Sequence, residues 1–321
     1  MKTKIKIISI ILTSIIVLFI ISPKIDALTI VLDAGHGAKD SGAVDKTHNI
    51  KEKDINLKTT KYLKTYLDEY KNVNVILTRT DDTFLEIYDR SMIARRNNAD
   101  LMISLHFNNL EKGTASGAEV FVSNNTSLPK YKEETSKLGN KILNNLNKLG
   151  VYNRGVKTRL IPTDTTDIYT DRTMADYYGI IRYAMRGCKI DSGVIKPAGA
   201  VPANVQNGEG VPAIIIEHCF LNNDYDYQFL KSDEALKQLA KADADAIVDH
   251  YNLKLKDIIG DVNVDREVNQ KDAKLILKAF AGKENLTDEQ KRIADVNNDN
   301  KINQKDAKLI LKYFAGKIKN F

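Results

Sequence analysis

Cysteine is scarce in this chain: Cys188 and Cys219 are the only two in 321 residues. Two cysteines cannot build a disulfide framework, and these two lack the spacing of a zinc ribbon. A single bridge or two buried thiols are the readings left open. No basic block with interleaved aromatics occurs, so no nucleic-acid partner is expected. The formal charge is only +6, and Lys2, Lys4, Lys6 and Lys24 against Asp26 place half of it at the very start of the chain. Tryptophan is absent; the composition is otherwise that of an ordinary globular protein, long enough for one full-sized domain plus a smaller one. The one long apolar run, Ile7 to Ile21, comes after the first lysines and precedes the small residues Ser22 and Ala27. That pattern predicts an export signal over 1–27, cut after Ala27, with no stable membrane span afterwards; an uncleaved anchor is the alternative.

From Leu28 onward the chain alternates between apolar runs and amphipathic stretches. The apolar run Ile30 to Leu32 reads as a buried strand that stops at Asp33 and leads into Gly35-His36-Gly37. Glycines on both sides of a histidine let the backbone turn sharply and other groups approach closely. Ile55, Tyr62, Leu63, Tyr66 and Leu67 recur at helical spacing and predict a helix over 52–70. Strands are predicted over 73–78, 101–105, 118–122 and 213–219. Helices are predicted over 129–149 and 233–251, and from a cap at Asp82 or Thr83 to Asn97. The alternation, with strands apolar on both faces, predicts a mostly parallel sheet covered by helices. Residues 150–210 exceed an ordinary connection and are expected to form short strands plus a loop edging a cleft.

His36 and His106 both end apolar strands, and Glu52 opens the first helix. In a parallel sheet the carboxyl ends of the strands share one edge, where ligands bind. Two imidazoles and a carboxylate meeting there would suit zinc with a position left open for water. From spacing alone, hydrogen-bonded structural histidines and a glutamate favoured by the helix dipole explain the same residues. Glu217, inside Ile214-Ile215-Ile216-Glu217-His218, is costly to bury unless it is paired or functional. Near a metal site it would suit a general base. His218 should face the other side of the sheet as a structural residue, and His48 and His250 are expected to be solvated.

The motif Val31-Leu-Asp-Ala-Gly-His-Gly37 resembles the first motif of the zinc-dependent N-acetylmuramoyl-L-alanine amidases, the group called amidase 3. Glu52, Leu77-Thr-Arg-Thr80, Arg90, Ala99 to Asn108, Gly117 to Phe121, Arg154-Gly-Val-Lys157 and Pro212 to Asn223 come next, in the family's order. The resemblance spans about 28–252. It implies a three-layer α/β/α sandwich, zinc held by His36, Glu52 and His106, and Glu217 as the catalytic base. The implied reaction cleaves the amide between the lactyl group of muramic acid and L-Ala of the peptidoglycan stem peptide. Asp33 then reads as a group orienting the site from behind, and Arg79, Arg90 and Arg154 as candidates to hold substrate carboxylates. His218-Cys219 departs from the small residues usual there, and residues 158–210 exceed the family's minimum.

The tail is an internal duplication: Asp261 to Lys278 recurs as Asp295 to Lys312. Asp261, Asn263, Asp265, Asn269 and Asp272, with the carbonyl of Glu267, fall on the positions of an EF-hand-like calcium loop. Asp295, Asn297, Asp299, Asn303 and Asp306, with the carbonyl of Lys301, do so again. Arg266 stands where glycine is usual, whereas Asn300 in the second copy tolerates a left-handed backbone, so the first loop is expected to be the more strained. Each loop feeds one helix, with Leu275, Ile276 and Phe280 matched by Leu309, Ile310 and Phe314. The pair resembles a type I dockerin, an all-α calcium-binding module, and implies docking onto a cohesin of another exported protein. Gln270-Lys271 and Gln304-Lys305 replace the hydroxyl residues of well-known dockerins, which implies a less familiar cohesin.

The expected layout is therefore a signal (1–27), a zinc amidase domain (28–252), a linker (253–259) and a dockerin-like domain (260–321). One zinc and two calcium ions are expected, with peptidoglycan and a cohesin as partners, in a bacterial protein secreted or held at the cell wall. A non-catalytic wall-docking module, and a zinc hydrolase of another peptide-like amide, remain as alternative readings.

Overall fold

The computed structural model describes residues 27–110, 114–124, 129–161, 176–184 and 210–321. The expected signal, apart from Ala27, and Cys188 lie outside the described residues. Cys219 is a buried free thiol.

In chain order the larger region runs β1 (Leu28–Ala34), β2 (Val44–Asp45), β3 (Ile50–Lys51), α1 (Glu52–Leu67), β4 (Val73–Leu77), α2 (Ile87–Arg96) and β5 (Leu101–Asn108). It continues with β6 (Ala118–Val122), α3 (Pro129–Lys148), β7 (Asn153–Lys157), α4 (Gly179–Ala184), β8 (Ala213–Phe220) and α5 (Asp233–Tyr251). One six-stranded sheet has the order β4-β1-β5-β8-β6-β7. β4, β1, β5 and β8 are parallel, whereas β6 runs antiparallel to β8 and carries β7 parallel to itself.

Strand alternation sorts the side chains into two layers. Ile30, Leu32, Ile103, Leu105, Val120, Ile214 and Ile216 face one side and share a core with Leu63 and Leu67 of α1, Leu138 and Ile142 of α3, and Leu239 and Ile247 of α5. Val31, Met102, Phe121, Ala213 and Ile215 face the other side, against Ala94 of α2 and Ile180, Ile181 and Ala184 of α4. Complete burial of a side chain such as Leu63 or Leu67 contributes about 1.5–3 kcal/mol each. The residues next in alternation toward the strand ends on the second face are polar: Asp33, Ser104, His106, Glu217 and Glu119.

α2 starts at Ile87, not at the expected cap. Asp82 is occupied elsewhere, accepting from Ala38 N at 2.8 Å and from Lys53 Nζ at 2.5 Å. The loop after β1 is pinned to the neighbouring loop in this way. The expected linker is also tied down: Lys254 O accepts from Lys71 N at 2.7 Å, and Lys256 N donates to Glu69 O at 2.7 Å.

The tail folds as α6 (Gln270–Phe280), α7 (Asp288–Ala294) and α8 (Gln304–Phe314). Its core joins Val262, Ala273 and Ile276 to Val296, Ala307 and Ile310, which are matched positions of the two copies. α7 lies between the two copies, outside the repeat, and its signal is in the sequence. Thr287 accepts from Gln290 N, and the Gln290 side chain accepts from Thr287 N, a reciprocal cap. Among the described residues no helix is long and apolar enough to cross a membrane.

Candidate active site

Three elements converge at the carboxyl edge of the sheet. β1 delivers His36 just past its end, β5 delivers His106, and Glu52 is the first residue of α1. The Glu52 carboxylate lies between the two imidazoles, 3.1 Å from His36 Nε2 and 2.9 Å from His106 Nδ1. One ligand atom from each of the three lies within 4.8 Å of the others. Glu52 is buried, and burial alone would raise its pKa. The hydrogen bonds and charges of His106 and His36 outweigh that and hold it well below the usual carboxylate range. For His36, burial pulls the pKa down, but Glu52 and Asp40 outweigh it and raise it.

Close packing shapes this triangle. His36 has φ 65° and Gly37 φ 139°, a left-handed turn that aims the imidazole back at α1. A Cβ on Gly35 would fall 2.2 Å from the His106 ring, and one on Gly42 would fall 2.6 Å from both Glu52 and His36. Asp40 Oδ2 sits 2.8 Å from His36 Nδ1 and leaves the other ring nitrogen directed at Glu52. A carboxylate behind an imidazole in this way fixes the ring orientation and tautomer of a metal ligand. The sequence reading missed Asp40; its signal was a carboxylate four residues after His36 in the same loop.

Asp33, buried beneath the loop, accepts from Thr78 Oγ1 and Ser104 Oγ at 2.6 Å each and from Arg90 Nη1 at 2.9 Å. Burial raises its pKa, but Arg90, Ser104 and Thr78 outweigh burial and lower it.

Two of the three arginines expected to meet substrate are committed to the backbone. Arg79 donates to Ala34 O, Gly35 O, Lys53 O and Asp81 O. Arg90 donates to Ala34 O, His36 O and Leu85 O as well as to Asp33. Both are buried at 4% exposure. Their guanidinium groups hold the turn that carries His36, which corrects the substrate-contact expectation for both.

Glu217 is the register partner of His106 on one side and of Glu119 on the other. All three therefore share one face in a row across β5, β8 and β6. Burial, then the charges of Glu52 and Glu119, push the Glu217 pKa well up. Among the described residues no hydrogen bond or ion pair fixes its carboxylate, so it is available to a substrate or water.

His218 points to the opposite face, as alternation requires. It is fully buried, 2.7 Å from Asp243 Oδ2 and 3.2 Å from His106 O. A register shift between His106 and Asn108 leaves room for this contact. His48 and His250 are not the solvated side chains expected. His48 stacks on Tyr227 at 3.6 Å and pairs with Asp45, while His250 is half-buried beside Glu134, and burial lowers its pKa.

In the tail the first aspartate of each loop makes the same contacts, while Asp272 Oδ1 accepts from Asn263 N. Asp261 accepts from Asp265 N and Arg266 N; Asp295 accepts from Asp299 N and Asn300 N. Asp272 and Asp306 are fully buried at the first turn of their helices, and Asp306 Oδ1 has no partner. A hard oxygen donor set with an orphaned buried carboxylate oxygen fits calcium. Val264 and Arg266 have φ 60° and 70°, and Asn298 and Asn300 have φ 55° and 61°. The first copy thus places a β-branched and a long side chain where the second uses asparagine.

A sheet edge carrying two imidazoles and a carboxylate, beside a carboxylate on the next strand that is unpaired among the described residues, is what a metal-dependent hydrolase requires. The chain belongs to the N-acetylmuramoyl-L-alanine amidase family, which it matches over residues 30–249. Residues 259–315 match the dockerin type I domain. The chain is 31% identical over 226 residues to an endolysin of Bacillus phage SPP1, covering 70% of this chain and 66% of the relative. It is 25% identical over 268 residues to a probable N-acetylmuramoyl-L-alanine amidase, AmiB, of Haemophilus influenzae, covering 82% of this chain and 60% of the relative. It thus spans less than two-thirds of either relative's length. The crystal structure of an N-acetylmuramoyl-L-alanine amidase from Clostridium difficile 630 superposes with TM-score 0.53 at 25% identity, covering 71% of this chain and 98% of that one.

Proposed function

We propose that this chain is an exported peptidoglycan hydrolase that cleaves the amide between the lactyl group of N-acetylmuramic acid and L-Ala of the stem peptide. The observation that carries this reading is the row of His106 and Glu217 beside Glu52 and His36, in a chain of the amidase family. His36, Glu52 and His106 fit zinc: two imidazoles and one carboxylate leave a coordination position open. One zinc ion held there supplies Lewis acidity toward a carbonyl oxygen and lowers the pKa of a water.

The protein's own groups do the rest. Asp40 holds the His36 ring, and Arg79 and Arg90 hold the backbone that presents it. Glu217 takes a proton from the attacking water at its carboxylate and returns it to the leaving amine nitrogen. Burial and its two carboxylate neighbours raise its proton affinity, the direction a base working near neutral pH needs.

We read the domains as signal 1–27, catalytic domain 28–252, linker 253–259 and dockerin-like domain 260–321. Asp261, Asn263, Asp265, Glu267 O, Asn269 and Asp272 hold one calcium ion; Asp295, Asn297, Asp299, Lys301 O, Asn303 and Asp306 hold a second. The paired helices then present Leu277 with Phe280, and Leu311 with Phe314, as exposed apolar pairs at matched positions, for a cohesin to cover. An enzyme so built works outside the cell, at the wall.

Glu217→Ala tests the chemistry. The variant is expected to keep zinc and to lose turnover by about 10²–10⁴-fold. Near-normal turnover would remove Glu217 from its role.

A further inference from the structure

The amidase reading leaves one part of the cleft unassigned. Glu119, buried at 8% side-chain exposure, accepts from Arg154 Nε at 2.9 Å, from Lys157 Nζ, and from Asn108 Nδ2 at 2.9 Å. Burial raises its pKa, but Lys157 and Arg154 outweigh burial and lower it, so it is ionised. Two cations meet on this one carboxylate; Arg154 also acts on the carboxyl of Asp226, whereas Lys157 pairs with no second carboxylate among the described residues. Both are partly open to solvent, Arg154 at 29% and Lys157 at 37% exposure. One cation would neutralise Glu119; the second is more than the buried carboxylate needs.

The row of side chains gives this shelf a direction. His106 stands on β5, Glu217 on β8 and Glu119 on β6, in register. The scissile carbonyl belongs at the metal end of the row. The amine that Glu217 protonates leaves on the Glu217 side, so the released peptide extends over β6 and β7. Strands lie about 4.8 Å apart, which puts the shelf roughly 10 Å from the His106 strand. An extended peptide advances about 3.3–3.6 Å per residue, so the shelf lies roughly three residues' length from the scissile amide, within reach of a carboxylate that projects onward from the second residue.

Resting on the amidase reading, we propose that Lys157 and Arg154, positioned by Glu119, form a subsite for a free carboxylate on the residue that follows L-Ala in the stem peptide. Lys157 closes the Arg154-Gly-Val-Lys157 motif but was not among the expected substrate groups. The carboxylate of the leaving peptide is read by the charge Glu119 leaves uncompensated; an amide at the same place accepts from the same cations but lacks the charge–charge attraction.

The test uses the zinc-loaded full chain and two soluble muropeptides that differ only there, one with a free carboxylate and one with a carboxamide. Wild type is expected to favour the carboxylate about tenfold in kcat/KM, through KM, with the preference shrinking as salt rises. In Lys157→Met the ratio falls toward one, and Lys157→Arg keeps most of it. An equal kcat/KM for both substrates in wild type overturns the subsite and leaves the amidase reading standing. An unchanged ratio in Lys157→Met likewise overturns it. The salt dependence of the wild-type ratio tests the same charge if that variant does not fold: a ratio indifferent to salt refutes it. No peptide released from either muropeptide removes the amidase reading, and the subsite with it.

Discussion

Gly35→Ala isolates the link between close packing and the metal site. A Cβ there would lie 2.2 Å from His106 Cε1, 2.3 Å from Nε2 and 2.8 Å from Nδ1. Gly35 does not have the positive φ of its neighbours, so alanine fits the backbone and the perturbation is the clash alone. Ordinary contact begins at 3.4 Å, so the ring edge must retreat by roughly 1.2 Å. β5 is held in the sheet on both sides, so the ring turns rather than the strand. That breaks the 2.9 Å contact with Glu52 and takes one of three donors out of place. Metal–ligand distances tolerate about 0.2 Å, so zinc affinity should fall about 100-fold or more. The ring can swing into the cleft, so stability should fall by only about 1 kcal/mol, the low end for overpacking. Competition with a chromogenic chelator measures the first quantity and thermal melting the second. Gly155→Ala, where an added Cβ meets nothing within 4 Å but the backbone has φ 88°, is the control: it strains the chain away from the metal site and should keep its zinc. If Gly35→Ala binds zinc as tightly as the parent, the reasoning from the His106–Glu52 contact is refuted.

The pair of Asp33 with Arg90 makes stability depend on pH. The folded pKa of Asp33 lies below its ordinary 3.8, so its contribution is whole above about pH 4 and is lost as pH falls through the folded value. Asp33→Asn should cost about 3 kcal/mol near neutrality, with the gap to the parent closing in acid; melting curves showing a constant gap would contradict the assignment. In the tail, Val264→Asn copies Asn298 into the strained loop and should raise calcium affinity there by about fivefold, from about 1 kcal/mol of relieved left-handed strain. Calorimetry showing two unequal sites that become alike would bear this out; sites already equal in the parent would not. Chelating calcium should abolish cohesin docking and leave zinc-dependent hydrolysis intact, whereas docking that persists in chelator would count against the two loops.

Periodicity made the faces legible: strands apolar on both sides, with His106 and Glu217 falling where the pattern breaks into polar residues, and His218 opposite. The partners were not legible, because they come from distant loops. Asp82 looks like a helix cap until Ala38 and Lys53 claim its oxygens. Arg79 and Arg90 look like substrate groups until the turn at His36 is seen to need their donors. Glu119 reads only as part of a strand, because Arg154 and Lys157 meet it from β7, more than 30 residues on. The reversal of β6 also escapes a sequence reading, since nothing in a buried run records its direction. His48 stacks on Tyr227 from a loop whose composition suggests only solvated side chains.

The most direct test is made on the wall itself. Purified sacculi digested with the zinc-loaded chain should release stem peptides with new L-Ala amino termini and leave the glycan strands uncut. New reducing ends, new termini at other residues, or no release at all would contradict the account.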